Sequence, residues 1–141
     1  VRMIPSWQWL RLHIDPARSR TLVRAAQLAD ALERTLDADS DTADRRLRSL
    51  PGIGVWTSAE VRFRAHGDAD AVSFGDYHIP NEIGHALAGH DLDDDGLAEL
   101  LEPYRPHRHR VQALLGMRRW RPRRGPRLAP RTHLPSSGSR G

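Results

Sequence analysis

The sequence contains no cysteine and no lysine; all 22 of its basic residues are arginine. Without thiols there are no disulfides, cysteine nucleophiles, thiolate zinc sites or iron–sulfur clusters. Without lysine no side-chain amine can form a Schiff base, and arginine cannot substitute because it stays protonated. No run of 18 apolar residues occurs, so no transmembrane helix is expected. No signal-peptide pattern opens the chain, and a cytoplasmic, nucleoid-associated protein is expected. Neither an internal repeat nor an alternating apolar–polar stretch of useful length appears, so the expected class is all-α.

What is present is a chain of 141 residues, 38% hydrophobic and 28% charged, enough for one domain with a modest core. It begins with Val1 in mid-pattern, as a fragment or an alternative start would. Charge is unevenly spread. Residues 1–102 hold 11 Arg and all 18 acidic residues (net −7), and residues 103–141 hold 11 Arg and no acid (net +11), which together give the net +4. A basic end of this kind suits a polyanion such as nucleic acid, and equally a solvated arginine-rich tail. Residues 120–141 are rich in Arg, Pro, Gly and Ser and are expected to be an extended or disordered tail behind a helical domain spanning 1–119.

Along the domain the helical signals are regular. Pro5–Leu10 reads as a short helix or turn. Asp15 caps a helix opening at Pro16 and running through Leu22, Ala25, Ala29, Leu32 and Leu36. Asp41 is expected to cap a second helix ending near Leu47, and Val55–Ala65 to form a third. A fourth ends at Leu87 before Gly89, and Asp95–Leu101 forms a fifth. The last opens at Pro106 and is expected to bury Val111, Leu114 and Leu115.

Between the second and third helices stands "LPGIGVW", Leu50–Trp56. Glycines in so tight a turn permit φ values closed to other residues and let a backbone approach a ligand closely. Amides at the start of the next helix suit an anion such as a DNA phosphate. An ordinary turn between two helices would read the same way.

"RSLPGIGVWTSAEV" followed by "DADAVSFGDYHIPN" resembles, in order and spacing, the signature of the helix-hairpin-helix–GPD superfamily of DNA glycosylases. The tryptophan after the turn and the "GDYH" run resemble its 3-methyladenine DNA glycosylase II branch. The resemblance covers roughly residues 6–117, with a weaker likeness in "RRGPRLAPR".

The resemblance implies a monomeric base-excision enzyme acting on double-stranded DNA that holds a damaged base. Asp76 matches the catalytic aspartate, whose carboxylate would stabilise positive charge on the sugar as the N-glycosidic bond breaks; capping a helix is its alternative role. Trp56 matches the position of the Schiff-base lysine in bifunctional members. The implied activity is therefore monofunctional, with the tryptophan ring facing a cationic alkylated base unless it is a core residue. Tyr77 and His78 would line the base pocket, or be plain packing or surface residues. Gly52, Gly54 and the Thr57 hydroxyl would hold a phosphate. The family's structural monovalent cation, Na+ or K+, would lie on the backbone carbonyls of Arg48, Leu50 and Ile53. No other cofactor is implied. Arg105, Arg108 and Arg110 would reach DNA, brace the Asp76 loop, or form a solvated face. The damaged base must leave the stack to be reached. The family's first lobe, with its wedge and part of the aromatic wall, precedes the region of resemblance, so the base pocket is expected to be incomplete.

Two further patterns are weaker. "DLDDDGLAELLE", Asp91–Glu102, fits a calcium-loop spacing, but Ala98 and Pro103 sit badly for it, and an acidic loop capping a short helix is the preferred reading. His85, His90, His107 and His109 have no zinc-site spacing and are expected at the surface or behind the site. Three functions stay in view. One is an alkylpurine DNA N-glycosylase, or the C-terminal half of one. The second is a helix-hairpin-helix DNA-binding module in which Asp76 only caps. The third, an adenine-mismatch glycosylase, is disfavoured by the missing cluster cysteines and by Trp56.

Overall fold

The computed structural model describes residues 1–117; the proposed tail at 120–141 lies outside them. Within the described residues the chain is all-α: α1 (Ser6–Arg11), α2 (Pro16–Gln27), α3 (Ala29–Glu33), α4 (Ser40–Arg48), α5 (Val55–Val61), α6 (Ile79–Leu87), α7 (Asp94–Leu101) and α8 (Arg108–Gly116). A π-helical turn, Arg62–His66, extends α5, and a 3₁₀ turn, Glu102–Tyr104, extends α7.

Helix starts follow short acidic side chains. Asp15 accepts from the Ala17 and Arg18 amides at 2.9 Å, and Pro16 sets φ at the first position. The Arg18 amide, foremost, holds the Asp15 carboxyl below its usual range. Two boundaries differ from expectation. The cap of α4 is Asp39, which accepts from the Thr42 amide at 2.8 Å, not Asp41. The long helix from Pro16 to Leu36 breaks at Leu28 (φ −104°, ψ 20°), where α2 gives way to α3. Local apolar spacing is blind to such a break, because both halves keep the same period. Asp93 caps α7 by accepting from the Gly96 amide at 2.8 Å, as the acidic-loop reading anticipates.

The core gathers Val72, Ile83, Leu97 and Leu101, with Phe74, Ile79, Leu100, Val111 and Leu115 packed against it. It thus lies where α6 meets α7 and α8, beneath the irregular segment 67–78. α4 and α5 pack on each other with Ala43, Leu47, Leu50 and Ala59 buried. The last helix begins at Arg108 rather than Pro106, and Leu114 is exposed. The side chains it buries instead are Arg108 and His109. That exchange has a polar cause. Arg108 grips Asp70 in a two-pronged pair, Nε to Oδ1 at 2.8 Å and Nη2 to Oδ2 at 2.7 Å, and its amide donates to the same carboxylate at 3.0 Å. His109 stacks on Phe63 with ring centroids 3.6 Å apart and pairs its Nδ1 with the Ala71 carbonyl at 2.8 Å.

Candidate functional site: the turn between α4 and α5 and the Asp76 loop

α4 ends with Ser49 and the chain reverses through Leu50–Gly54 into α5. The Ile53 amide donates to the Leu50 carbonyl at 3.1 Å and closes the turn. Gly52 has φ +90°, and a Cβ built on it would stand 2.1 Å from the Thr21 hydroxyl oxygen, so both backbone and packing require glycine there. Gly54 differs: its φ of −93° is open to any residue and nothing lies within 4 Å of a Cβ. Thr21 of α2 reaches the turn, its hydroxyl lying 3.2 Å from the Pro51 carbonyl.

Both glycines are exposed, and among the described residues neither amide donates to a backbone carbonyl. Thr57 is half-buried in the first turn of α5. Of the three carbonyls matched to a cation site, Leu50 accepts the turn bond and, like any carbonyl, keeps a second lone pair. Those of Arg48 and Ile53 accept from no loop amide among the described residues. A set of neutral carbonyl oxygens suits a monovalent cation, so the residues fit that group. Among the described residues no cluster of three or more His, Asp or Glu side chains is arranged to hold a metal ion.

α5 carries Trp56 toward the loop before α6. Its Nε1 donates to Asp76 Oδ2 at 3.2 Å. The other oxygen, Oδ1, accepts from the amides of His78 at 2.7 Å and Ile79 at 3.2 Å, the free N–H groups where α6 begins. Asp76 therefore caps α6 and is tied to α5 at once. Trp56 is 43% exposed and is not a core residue. Tyr77 is 84% exposed and meets His78 edge-on, with centroids 5.0 Å apart. Both side chains are exposed.

The loop is fastened at several points before Asp76. Upstream, the buried Ser73 hydroxyl donates to Glu60 Oε1 at 2.6 Å, and its amide donates to Gln112 at 3.1 Å, joining α5, the loop and α8. Arg105 adds a 3.2 Å contact to Asp70 beside the Arg108 pair. Burial pushes the Asp70 carboxyl up, but the hydrogen bonds and charge of Arg108, with the charge of Arg105, outweigh it and hold the group below its usual range. Immediately before Asp76, the Gly75 amide donates to Asp94 Oδ2 at 2.9 Å. Arg105 and Arg108 thus brace the segment before Asp76, whereas Arg110 is exposed and unpaired among the described residues.

Sequence reading left several of these groups unassigned: Thr21, Ser58, Glu60, Ser73, Asp94 and Gln112. Ser58 is fully buried and donates to Asp44 at 2.6 Å, and Arg62 joins Asp44 to Asp68. The histidines divide: His109 is buried, while His85 meets Asp91 at 2.6 Å and His90 meets the Asp91 carbonyl at 2.9 Å. Two cavities are lined by neither Trp56 nor Asp76, although Val55 and Phe74 line the second. One of about 770 Å³ separates α3 from α4, and one of about 550 Å³ adjoins Asp44, Asp68 and Asp70.

No helix among the described residues is long and apolar enough to cross a membrane. Comparison of the chain with protein-family models, with curated proteins and with solved structures returned no match.

Proposed function

We propose that this chain is a monofunctional DNA N-glycosylase, or the DNA-gripping half of one, acting on alkylated purines of the 3-methyladenine type in duplex DNA. The observation that carries the reading is the 3.2 Å contact between Trp56 and Asp76, which unites the two parts of the sequence signature. Supporting it, α4, the glycine turn and α5 follow in the order a helix-hairpin-helix would take, with Gly52 and Gly54 exposed in the turn.

In this reading the hairpin grips a backbone phosphate through Gly52, Gly54 and Thr57, without reading sequence. A monovalent cation held by the Arg48, Leu50 and Ile53 carbonyls would supply positive charge between turn and phosphate. Asp76 faces the sugar C1′ of the flipped nucleotide. As the C1′–N bond breaks, its electron pair leaves with the base, and an alkylated purine departs neutral because it began as a cation. The carboxylate stabilises the sugar cation, water adds at C1′, and its proton passes to Asp76 or solvent. Electrostatic preorganisation of this kind contributes ~10²–10³ in rate. The Trp56 N–H orients the carboxylate, and its ring offers an electron-rich face to the cationic base.

A second reading has its own support. Both oxygens of Asp76 already accept protein N–H donors, as a purely structural cap would. The chain would then be a helix-hairpin-helix DNA-binding module without catalysis. Base release from methylated duplex DNA, compared between the wild type and Asp76→Asn, separates the two, with binding to an abasic-analogue duplex followed in parallel. Release lost in the variant with binding kept supports the glycosylase; binding by both without release by either reduces the chain to the module.

A further inference from the structure

Thr21 brings a third helix to the hairpin. Its neighbours Arg20 and Arg24, with Ala17, line a cavity of about 460 Å³ whose other wall is Pro51 and Gly52. Among the described residues, six other arginines are paired with carboxylates. Arg18 meets Asp15, Arg48 and Arg62 meet Asp44, Arg64 meets Glu60, and Arg105 and Arg108 meet Asp70. Arg20 and Arg24 have no carboxylate within salt-bridge distance among the described residues, and none lines the cavity they share with the turn. The 770 Å³ groove between α3 and α4 differs, because its Arg34 and Arg46 are accompanied by Asp37 and Asp39. The hairpin cavity therefore carries concentrated, uncompensated positive charge.

We infer that Arg20 and Arg24 form, with the Pro51–Gly52 turn, an extended phosphodiester site, in which α2 grips the DNA strand held by the hairpin. Four residues apart on α2, the two arginines are about 6 Å apart along the helix axis and lie on one face. Guanidinium forks there can contact successive backbone phosphates with paired N–H donors. The Thr21 hydroxyl, against the Pro51 carbonyl, fixes the turn relative to that helix, so hairpin and arginines present one surface. This site rests on the DNA-binding reading and adds a phosphate contact per arginine to it.

The test is the salt dependence of duplex binding by the full chain, for the wild type, Arg20→Gln/Arg24→Gln and the control Arg34→Gln/Arg46→Gln. Glutamine keeps helix propensity, and far-UV circular dichroism checks that each variant is folded. Each phosphate contact contributes about 0.9 to the slope of log K against log salt. The α2 pair is expected to make the slope shallower by about two, with the control unchanged. A wild-type slope retained by the folded α2 variant overturns this site and leaves the DNA-binding reading standing. Absence of salt-sensitive binding by the wild type overturns both. An equal loss in the control assigns the effect to net charge and overturns the site alone.

Discussion

The indole nitrogen of Trp56 and the carboxylate of Asp76 meet at 3.2 Å, although twenty residues separate them in sequence. The tryptophan is fixed by α5 and the aspartate by the first amides of α6, so the contact measures how those two helices are set against each other. A carboxylate bound on one side only could rotate; this one has donors on both oxygens.

Replacing Asp76 with Asn should preserve the cap through Oδ1 but set an amide N–H₂ against the Trp56 N–H. Base release from methylated duplex is expected to fall ~10²–10³-fold. Thermal unfolding should show a loss of only about 1 kcal/mol. Trp56→Phe keeps a ring and removes the donor, and release is expected to drop only a few-fold to about tenfold. Equal release by Asp76→Asn and wild type would remove the catalytic role.

Asp94 should behave as a positioning residue. In Asp94→Ala the Gly75 amide loses its acceptor, and the turn carrying Asp76 loosens. Single-turnover release is expected to slow by about 10- to 100-fold, with duplex affinity unchanged. A loss of affinity with chemistry intact would show that the loop serves binding instead.

Gly52→Ala combines a left-handed backbone with a clash against the Thr21 hydroxyl. Its cost is expected to be about 1–3 kcal/mol in urea unfolding. Adding Thr21→Ala should recover part of it, because the clash goes while the φ penalty stays. Gly54→Ala, in extended backbone with open space around it, should cost less than about 1 kcal/mol.

The Asp70–Arg108 pair predicts an acid-sensitive fold. The folded-state pKa of Asp70 lies below the unfolded value of about 3.9. Its contribution is therefore complete above that value and declines as pH falls through the folded pKa. The stability gap between wild type and Asp70→Asn, followed by urea unfolding from pH 6 to pH 2, should be constant down to about pH 4 and narrow below. A gap independent of pH to the acid end would mean that the pair is held by hydrogen bonding alone.

Much of the fold was legible because it is locally determined. Asp15 before Pro16 and the Pro51–Gly54 turn announce themselves through capping and φ chemistry within a few residues. The break at Leu28 did not, since it depends on what α2 and α3 pack against. Leu114 misled for a related reason: helical spacing marks an apolar face but not which neighbour covers it, and here the buried face of α8 begins with Arg108 and His109. The motif resemblance marked Trp56 and Asp76 separately, and their contact carries no sequence signal of its own. The supports behind it, Ser73 with Glu60 and Gly75 with Asp94, join residues 13 and 19 apart that carry no pattern of their own.

Those supports bear on time as well as place. Residues 67–78 contain no regular helix, yet the segment is fastened by the Asp70 pair, by Ser73 and by Gly75. Opening it would separate buried charge from its partner and strand several N–H groups, so its fluctuations are tied to disruption of α7 and α8. Its amide protons should exchange with solvent on the slow clock of those helices rather than the fast clock of a surface loop. An irregular segment of this kind can hold the Asp76 carboxylate as steadily as a helix would, with Tyr77 exposed beside it.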